Sequence, residues 1–408
     1  MLNSSGDTKM AIAAGNNVNT QIMRSTRIAV SIGFFIFGLS FAIWAVHIPT
    51  IVEKLSLDPA ILGLALLNVG LGGVISQPLT GWLVSRTGSA KATTVFLPLA
   101  VVATCAPILA WNIPALFAGT LVLGLAAGAA NVAINTQASE IETARAKPTM
   151  SSFHGFFSLG ALGGSLLGGA IIAARLADGT GAVGLAVALV VIAFLVTRHL
   201  FTAPPRSKTA ATGSTKRFSI LPAAVLALAL LTFFSNMVEG SVNDWSTLYL
   251  SSTRGFSGAT ATSGVALFSL AMAVCRLAGG PVVAKLGEKY IVLFGGVLMA
   301  LGMGLVVLPP WAIVSPFGFA LVAIGAANTI PVMMGAASRT PGTAPSTGVA
   351  ATSTGSLLGF LMGPPIIGFI AHGFGLSVSL GLLSLAGVII SVGAALRRCP
   401  AELTATSH

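Results

Sequence analysis

Long apolar runs recur along nearly the whole chain, separated by short polar breaks. They cover residues 28–48, 60–84, 92–111, 114–137, 150–174 and 180–201, then 220–250, 259–284, 290–308, 311–336, 347–371 and 375–396. A helix needs roughly 20 apolar residues to cross about 30 Å of hydrocarbon, so the pattern predicts twelve membrane-spanning helices. The longest polar segment between runs, 202–219, carries Pro204, Pro205, Arg206, Lys208, Lys216 and Arg217. It divides the spans six and six and reads as a linker. Residues 1–27 are polar and rich in Ala and Asn, with no apolar stretch leading to a cleavage site. They are expected to form a disordered cytoplasmic tail, and 397–408 a second tail. The predicted architecture is an all-α integral membrane protein with helical bundles over 28–201 and 220–396.

Composition agrees with a chain solvated by lipid. Of 408 residues, 55% are hydrophobic and only 8% charged, whereas a water-exposed surface usually needs about 25% charged residues. The net charge of +11 does not point to nucleic acid, because the basic residues are scattered through short loops rather than gathered on one face. They act as topology signals instead. With the N-terminus inside, only Lys54, Arg175 and Arg254 fall outside and Arg276 lies within a span; the other Lys and Arg fall inside. That asymmetry places both termini in the cytoplasm of a bacterial inner-membrane protein. The three cysteines, Cys105, Cys275 and Cys399, are far apart and form no CxxC, so neither a disulfide framework nor a zinc site is expected. No cofactor is implied.

The two halves repeat one another. Gly81, Arg86 and Gly88 after span two match Gly280, Lys285 and Gly287 after span eight, 199 residues on. Gly128-Ala-Ala-Asn131 in span four matches Gly325-Ala-Ala-Asn328 in span ten. Gly160, Gly164 and Gly168 match Gly355, Gly359 and Gly363, each set followed by Ile-Ile. Three matches in order predict two pseudo-symmetric six-helix bundles that can rock around a midplane cleft. The four-residue glycine spacing puts each ladder on one helix face, where helices approach closely.

The loop after span two resembles the signature of the major facilitator superfamily: Gly, three residues, an acid, a basic residue, one residue, Gly, then basic residues. Gly81, Arg86 and Gly88 fit, and Gly280, Lys285 and Gly287 fit in the second copy. Ser85 and Ala284 stand at the two acidic positions, so the cytoplasmic latch this acid forms in the family is expected to be weak or built otherwise. Met150-Ser-Ser-Phe-His154-Gly-Phe-Phe-Ser158 and Glu239-Gly-Ser-Val-Asn-Asp244-Trp245 are similar to the MosC/YbjJ-type bacterial branch, itself distantly similar to fucose permease. The resemblance covers essentially the whole chain. It implies the major facilitator fold, a monomer, a cavity lined by spans one, four, seven and ten, and, through the rhizopine locus of MosC, an inositol-amine solute.

Polar groups inside a bilayer are costly and so become site candidates. In span seven, Asn236, Glu239 and Asn243 fall at helical spacing on one stripe expected to face the cleft, with Asp244 beside them toward the outer end. Glu239 and Asp244 are the candidates for proton coupling, since a desolvated carboxylate takes up a proton more readily. Solute-contact candidates are Trp44, Asn131, Asn135, Asn236, Glu239, Asn243, Trp245 and Asn328; Trp44 and Trp245 are taken as approximate counterparts. Gating candidates are His154 and Arg276, at similar depth on spans five and eight with Glu140 as a bridging carboxylate, together with Gly81, Arg86, Gly88, Lys285 and Gly287. His47 and His372, near the outer ends, are expected at the interface.

The leading functional reading is a proton-linked secondary carrier for a small polar solute. Neutral amides suit hydroxyl-rich or amine solutes better than anions. Efflux of amines or drugs competes with uptake, and a sensor that kept a carrier fold but lost transport is a third reading. An enzyme is not expected: the sequence has no HExxH, GxSxG, P-loop or clustered carboxylates.

Overall fold

The computed structural model describes residues 4–145, 149–176, 179–200, 221–343 and 345–396. Twelve helices are long and apolar enough to cross a membrane. Spans one to six are Arg24–Leu55, Pro59–Thr87, Ser89–Ile108, Ile113–Ala144, Met150–Ala173 and Thr180–Thr197. Spans seven to twelve are Ala223–Ser252, Gly258–Leu277, Glu288–Val307, Ala312–Ser338, Thr347–Phe374 and Leu376–Leu396. All twelve fall where the apolar runs place them. The segment ahead of span one differs: a helix runs without interruption from Ser4 to Leu55, so residues 4–27 are helical rather than irregular. No proline precedes Pro49 in it, and extending an existing helix is far cheaper than starting one. The linker 202–219 and the tail 397–408 lie outside the described residues.

Large apolar side chains such as Leu79, Val95, Phe294 and Leu301 are more than half exposed on the outer surface. Water would penalise such a surface, whereas lipid solvates it, and helices satisfy their own backbone there.

Each bundle is pinned by its glycine ladder. Gly160 and Gly164 of span five lie against the span-one backbone at Phe35 and Leu39. Gly355 and Gly359 of span eleven lie in the same way against Ala229 and Phe233 of span seven. A side chain at these positions would collide with backbone, which explains the small residues. This register pairs Phe35 with Ala229 and Leu39 with Phe233. It therefore corrects the assumed pairing of Trp44 with Trp245: Trp44 corresponds to Val238, and Trp245 to Ile51. The glycine ladder rather than the sparse tryptophans fixes the register.

The bundles meet along three helix pairs, spans two and eleven, five and eight, and one and seven. We term the side holding Arg86, Lys285 and Arg339 the basic face, and the other side the opposite face. Near the opposite face, Gly63 of span two packs on Pro364, Pro365 and Gly368 of span eleven, and Gly70 meets Leu361 further in. Spans five and eight touch near both ends, through Gly155 with Leu277 and through Gly169 with Thr262.

Candidate functional site

Span seven supplies the most polar stretch of the interior. Between Ser235 and Leu250, only Asn236, Glu239 and Asn243 are partly exposed; their neighbours are buried. The three positions follow helical periodicity, so one stripe of span seven faces space rather than packing. Asn236 donates to the Ser356 carbonyl of span eleven at 2.8 Å, and Asn243 donates to the Glu239 carbonyl of its own helix at 2.8 Å.

The Glu239 carboxylate does not stand alone. It accepts from the Arg276 guanidinium of span eight at 2.9 Å, with both side chains under one-fifth exposed. Arg276 also reaches across to the first bundle, donating to the Ser158 hydroxyl at 3.4 Å. Ser158 in turn donates to the His154 carbonyl at 3.2 Å. The helix of span eight ends at Leu277, and Ala278 separates it from a short second helix, Gly279–Leu286. The carbonyls ahead of the break are taken by neighbours: Cys275 by the Asn328 amide at 3.1 Å, and Arg276 by the Ser151 hydroxyl at 2.9 Å. Asn328 itself sits in a break of span ten, between helices Ser315–Ala326 and Thr329–Ser338. Its amide thus binds two interrupted helices together.

Several candidates sit differently from expectation. Glu140 does not bridge His154 and Arg276; it accepts from the Ser89 hydroxyl at 2.6 Å and from Gln137. Its position on span four turns it toward the start of span three, inside its own bundle. The His154 ring packs edge-on against Phe34, with centroids 5.4 Å apart. His47 is not interfacial. It is fully buried, with Nδ1 held 2.7 Å from the Ile43 carbonyl, because its face of span one packs into protein. Trp245 is also fully buried and does not line the cavity described next. Asn131 and Asn135 hydrogen-bond to each other at 2.8 Å, and Asn131 is exposed.

Asp244 is 4% exposed and, among the described residues, has neither a hydrogen-bond nor an ion-pair partner. It lines a narrow cavity between the bundles with Phe41 and Trp44 of span one, Leu66 and Val69 of span two, and Phe360 and Pro364 of span eleven. Sequence reading singled out the carboxylate and Trp44; it did not bring them together with Phe360 of span eleven around one cavity.

The signature loops are open on the basic face. Gly88 and Gly287 adopt nearly the same backbone, φ 85° with ψ 152° and φ 85° with ψ 151°, a positive-φ turn that suits glycine. Arg86 stacks over Trp82 at 4.5 Å, and Lys285 is exposed. Ser85, at the acidic position, donates to its own helix at Trp82. At the opposite face, Asp58 accepts from the Ala60 amide at 2.7 Å, capping span two, and lies 2.6 Å from Nδ1 of His372 on span eleven. The Ala60 amide, and to a lesser degree His372, hold the Asp58 carboxyl below the ordinary carboxylate range.

Comparison with known proteins agrees with this architecture. The family model described as Major Facilitator Superfamily matches residues 30–312 and 228–407. A MFS-type transporter of Yersinia pestis is 32% identical over 91% of this chain and 95% of its own length. The membrane protein MosC of Rhizobium meliloti is 29% identical over 94% of this chain and 93% of its own. Among solved structures, a D323A mutant of the nucleoside transporter NupG superposes with a TM-score of 0.74 at 12% identity, covering 91% of this chain and 99% of that one. A bacterial homologue of the human lysosomal transporter Spinster, inward-facing and unoccupied, gives 0.71 at 14% identity over 93% and 99%. With the family model matched across both bundles and relatives aligned nearly end to end, the chain belongs to the Major Facilitator Superfamily, as a membrane transporter of its MosC-like branch.

Proposed function

We propose that the protein is a secondary active transporter that moves a small polar solute, sugar-, polyol- or inositol-amine-like, across the bacterial inner membrane by proton-coupled alternating access. The rhizopines are the inositol-amine class suggested by the MosC resemblance. The basic face is the cytoplasmic one, and the protein works as a monomer.

The observation that carries this reading is the Glu239–Arg276 pair on the partly exposed stripe of span seven, with Arg276 also touching Ser158 across the bundle interface. An ion pair held inside a membrane is costly and marks a pathway. Here it links the two bodies that must move. The close approaches of spans two and eleven near the opposite face support a state closed on that side. Asn131, Asn135, Asn236 and Asn243 offer amides to hydroxyls. Trp44 lines the cavity at Asp244, while Trp245 and Asn328 serve the site from behind, by packing and by holding helix breaks. Rocking the bundles about spans five and eight would part Arg276 from Ser158, and the loops of Gly81–Gly88 and Gly280–Gly287 would approach on the basic face. Asp244, buried without a cation, requires a neutralising partner, and a proton is the simplest one. Glu239 can exchange Arg276 for a proton as the pair opens.

The test is reconstitution in liposomes holding a pH-sensitive dye, with cyclitols, aminocyclitols, polyols and sugars added singly. A solute-specific change of lumen pH that disappears in Asp244→Asn is expected. Solute flux without any pH change would remove the coupling, and no flux of any solute would remove the reading.

A further inference from the structure

The Asp244 cavity is not explained by packing. Three of its walls are the rings of Phe41, Trp44 and Phe360, and its single charged group is a carboxylate nine-tenths buried with no partner among the described residues. Gly240, one turn earlier on span seven, leaves room for the Phe360 ring, to which a Cβ there would come within 3.0 Å. Groups that could neutralise Asp244 from the protein side are committed elsewhere. On the spans packed against span seven, Arg276 is held by Glu239, His47 has Nδ1 at the Ile43 carbonyl, and His372 is paired with Asp58. Arg24, Arg27, Glu53 and Lys54 sit at the ends of span one and Cys275 lies in span eight beside Arg276; none of these lines the cavity.

A carboxylate among aromatic rings is the chemistry that recognises an alkylammonium group. The carboxylate supplies the counter-charge, and the ring faces attract the cation once water is excluded. A neutral hydroxyl gains little from the rings and leaves a carboxylate charge uncompensated.

We infer that this cavity is a subsite for a small ammonium group, so that the carried solute is an amine whose cationic head and a proton occupy Asp244 in alternation. The inference rests on the transporter reading and narrows its solute class. One site with two mutually exclusive occupants makes the flux an exchange, a proton released for each ammonium bound. The Glu239–Arg276 pair and the amide stripe are left to hold the rest of the solute.

The experiment is proton release from the purified full-length protein in weakly buffered detergent solution, followed with an indicator dye. Methylammonium chloride is the probe, and sodium chloride and methanol are the controls. Release close to one proton per protein is expected with methylammonium and none with either control. Asp244→Asn should release none while keeping its elution profile. Trp44→Leu should keep the stoichiometry but require on the order of tenfold more methylammonium. Release that persists in Asp244→Asn, or no release from a wild-type protein that carries a neutral cyclitol in liposomes, would overturn the ammonium site and leave the transporter reading standing. A protein that neither releases protons nor carries any solute would overturn both.

Discussion

The two bundles share a frame and differ in chemistry. Their signature turns, Gly88 and Gly287, have matching backbones, and their glycine ladders sit on equivalent turns of spans one and seven. The links between spans three and four and between nine and ten also occupy equivalent places. Ser89 with Glu140 in the first bundle and Glu288 with Arg339 in the second tie the same pairs of helix ends together, Ser89 and Glu288 being equivalent 199 residues apart. At the cleft the correspondence ends. In the register of the ladders, Glu239 and Asp244 stand where the first bundle has Ala45 and Thr50, and in the register of the signature loops Arg276 stands where it has Gln77. Residues that set how helices approach were kept in both copies. The charges were placed in one copy only, so the second bundle carries the ionic site and Phe360, and the first supplies Phe41, Trp44 and the Ser158 contact.

The sharpest way to break this asymmetry is to remove one member of its ion pair. Glu239→Gln or Arg276→Gln should each destabilise the protein by about 3 kcal/mol, because one charge is left in the interior without its partner. The double variant Glu239→Gln with Arg276→Gln should recover much of that loss. Thermal unfolding in detergent reads both, and additive losses in the double variant would show that the pair is not coupled. At the corresponding first-bundle positions, Ala45→Ser and Gln77→Ala should move the midpoint far less.

The shared frame predicts equal damage in both halves. Gly160→Val and its counterpart Gly355→Val place a branched side chain against the backbone of the paired helix and should each cost at least about 1–3 kcal/mol. Gly184→Val, on span six with nothing within 4 Å of its Cβ position, should cost less than about 0.5 kcal/mol. If one ladder glycine tolerated valine and its counterpart did not, the two bundles would not be packed alike.

The equivalent links near the basic face should differ in the other direction. Ser89 is buried and also accepts from the Gln137 amide, so Glu140→Ala leaves its hydroxyl proton without an acceptor and should cost about 1–3 kcal/mol. Glu288 and Arg339 are roughly half exposed, and Arg339→Ala should cost only about 0–1 kcal/mol. Unfolding midpoints of the two variants side by side check the ranking.

The frame was legible in the sequence because its signals are local or repeated. Spans are runs of apolar residues, the ladder is a fixed spacing, and the Asn236, Glu239 and Asn243 stripe follows from helical periodicity alone. What stayed hidden depends on distant packing. Nothing in the spacing of Glu239 and Arg276, 37 residues apart, says that adjacent antiparallel spans bring them together. Glu140 was assigned the wrong neighbour for the same reason: depth along a helix is readable, but azimuth is not. His47 looks like a residue at a span end, and only the packing of span one buries it. The tryptophans misled because two similar residues suggested a register that the backbone contacts do not follow.

The smallest effect belongs to a contact that, among the described residues, is the one surface carboxylate pair between the bundles. Asp58 in the first bundle and His372 in the second join spans two and eleven at the opposite face, beside the close approach of Gly63 and Gly368. Both are substantially exposed, so the contact is screened and weak. Its sign is nevertheless fixed. The Asp58 carboxyl titrates below its ordinary range, chiefly through the Ala60 amide of its own helix and further through His372 across the interface; only the His372 part depends on closure, and it is present above the carboxylate range and lost as pH falls through the depressed value. Closure at the opposite face should therefore be unchanged by Asp58 from neutral pH down to the ordinary carboxylate range and loosen below it. Spin labels on spans two and eleven, read as a distance distribution against pH, should show a modest shift toward separation in strong acid. Asp58→Asn should abolish that acid limb. His372→Ala should abolish it too, because the Ala60 amide belongs to the same helix as Asp58 and holds the carboxyl whether the face is open or shut. An acid limb that survives in Asp58→Asn would assign the loosening to other groups, and leave the glycine contact alone to hold this face shut.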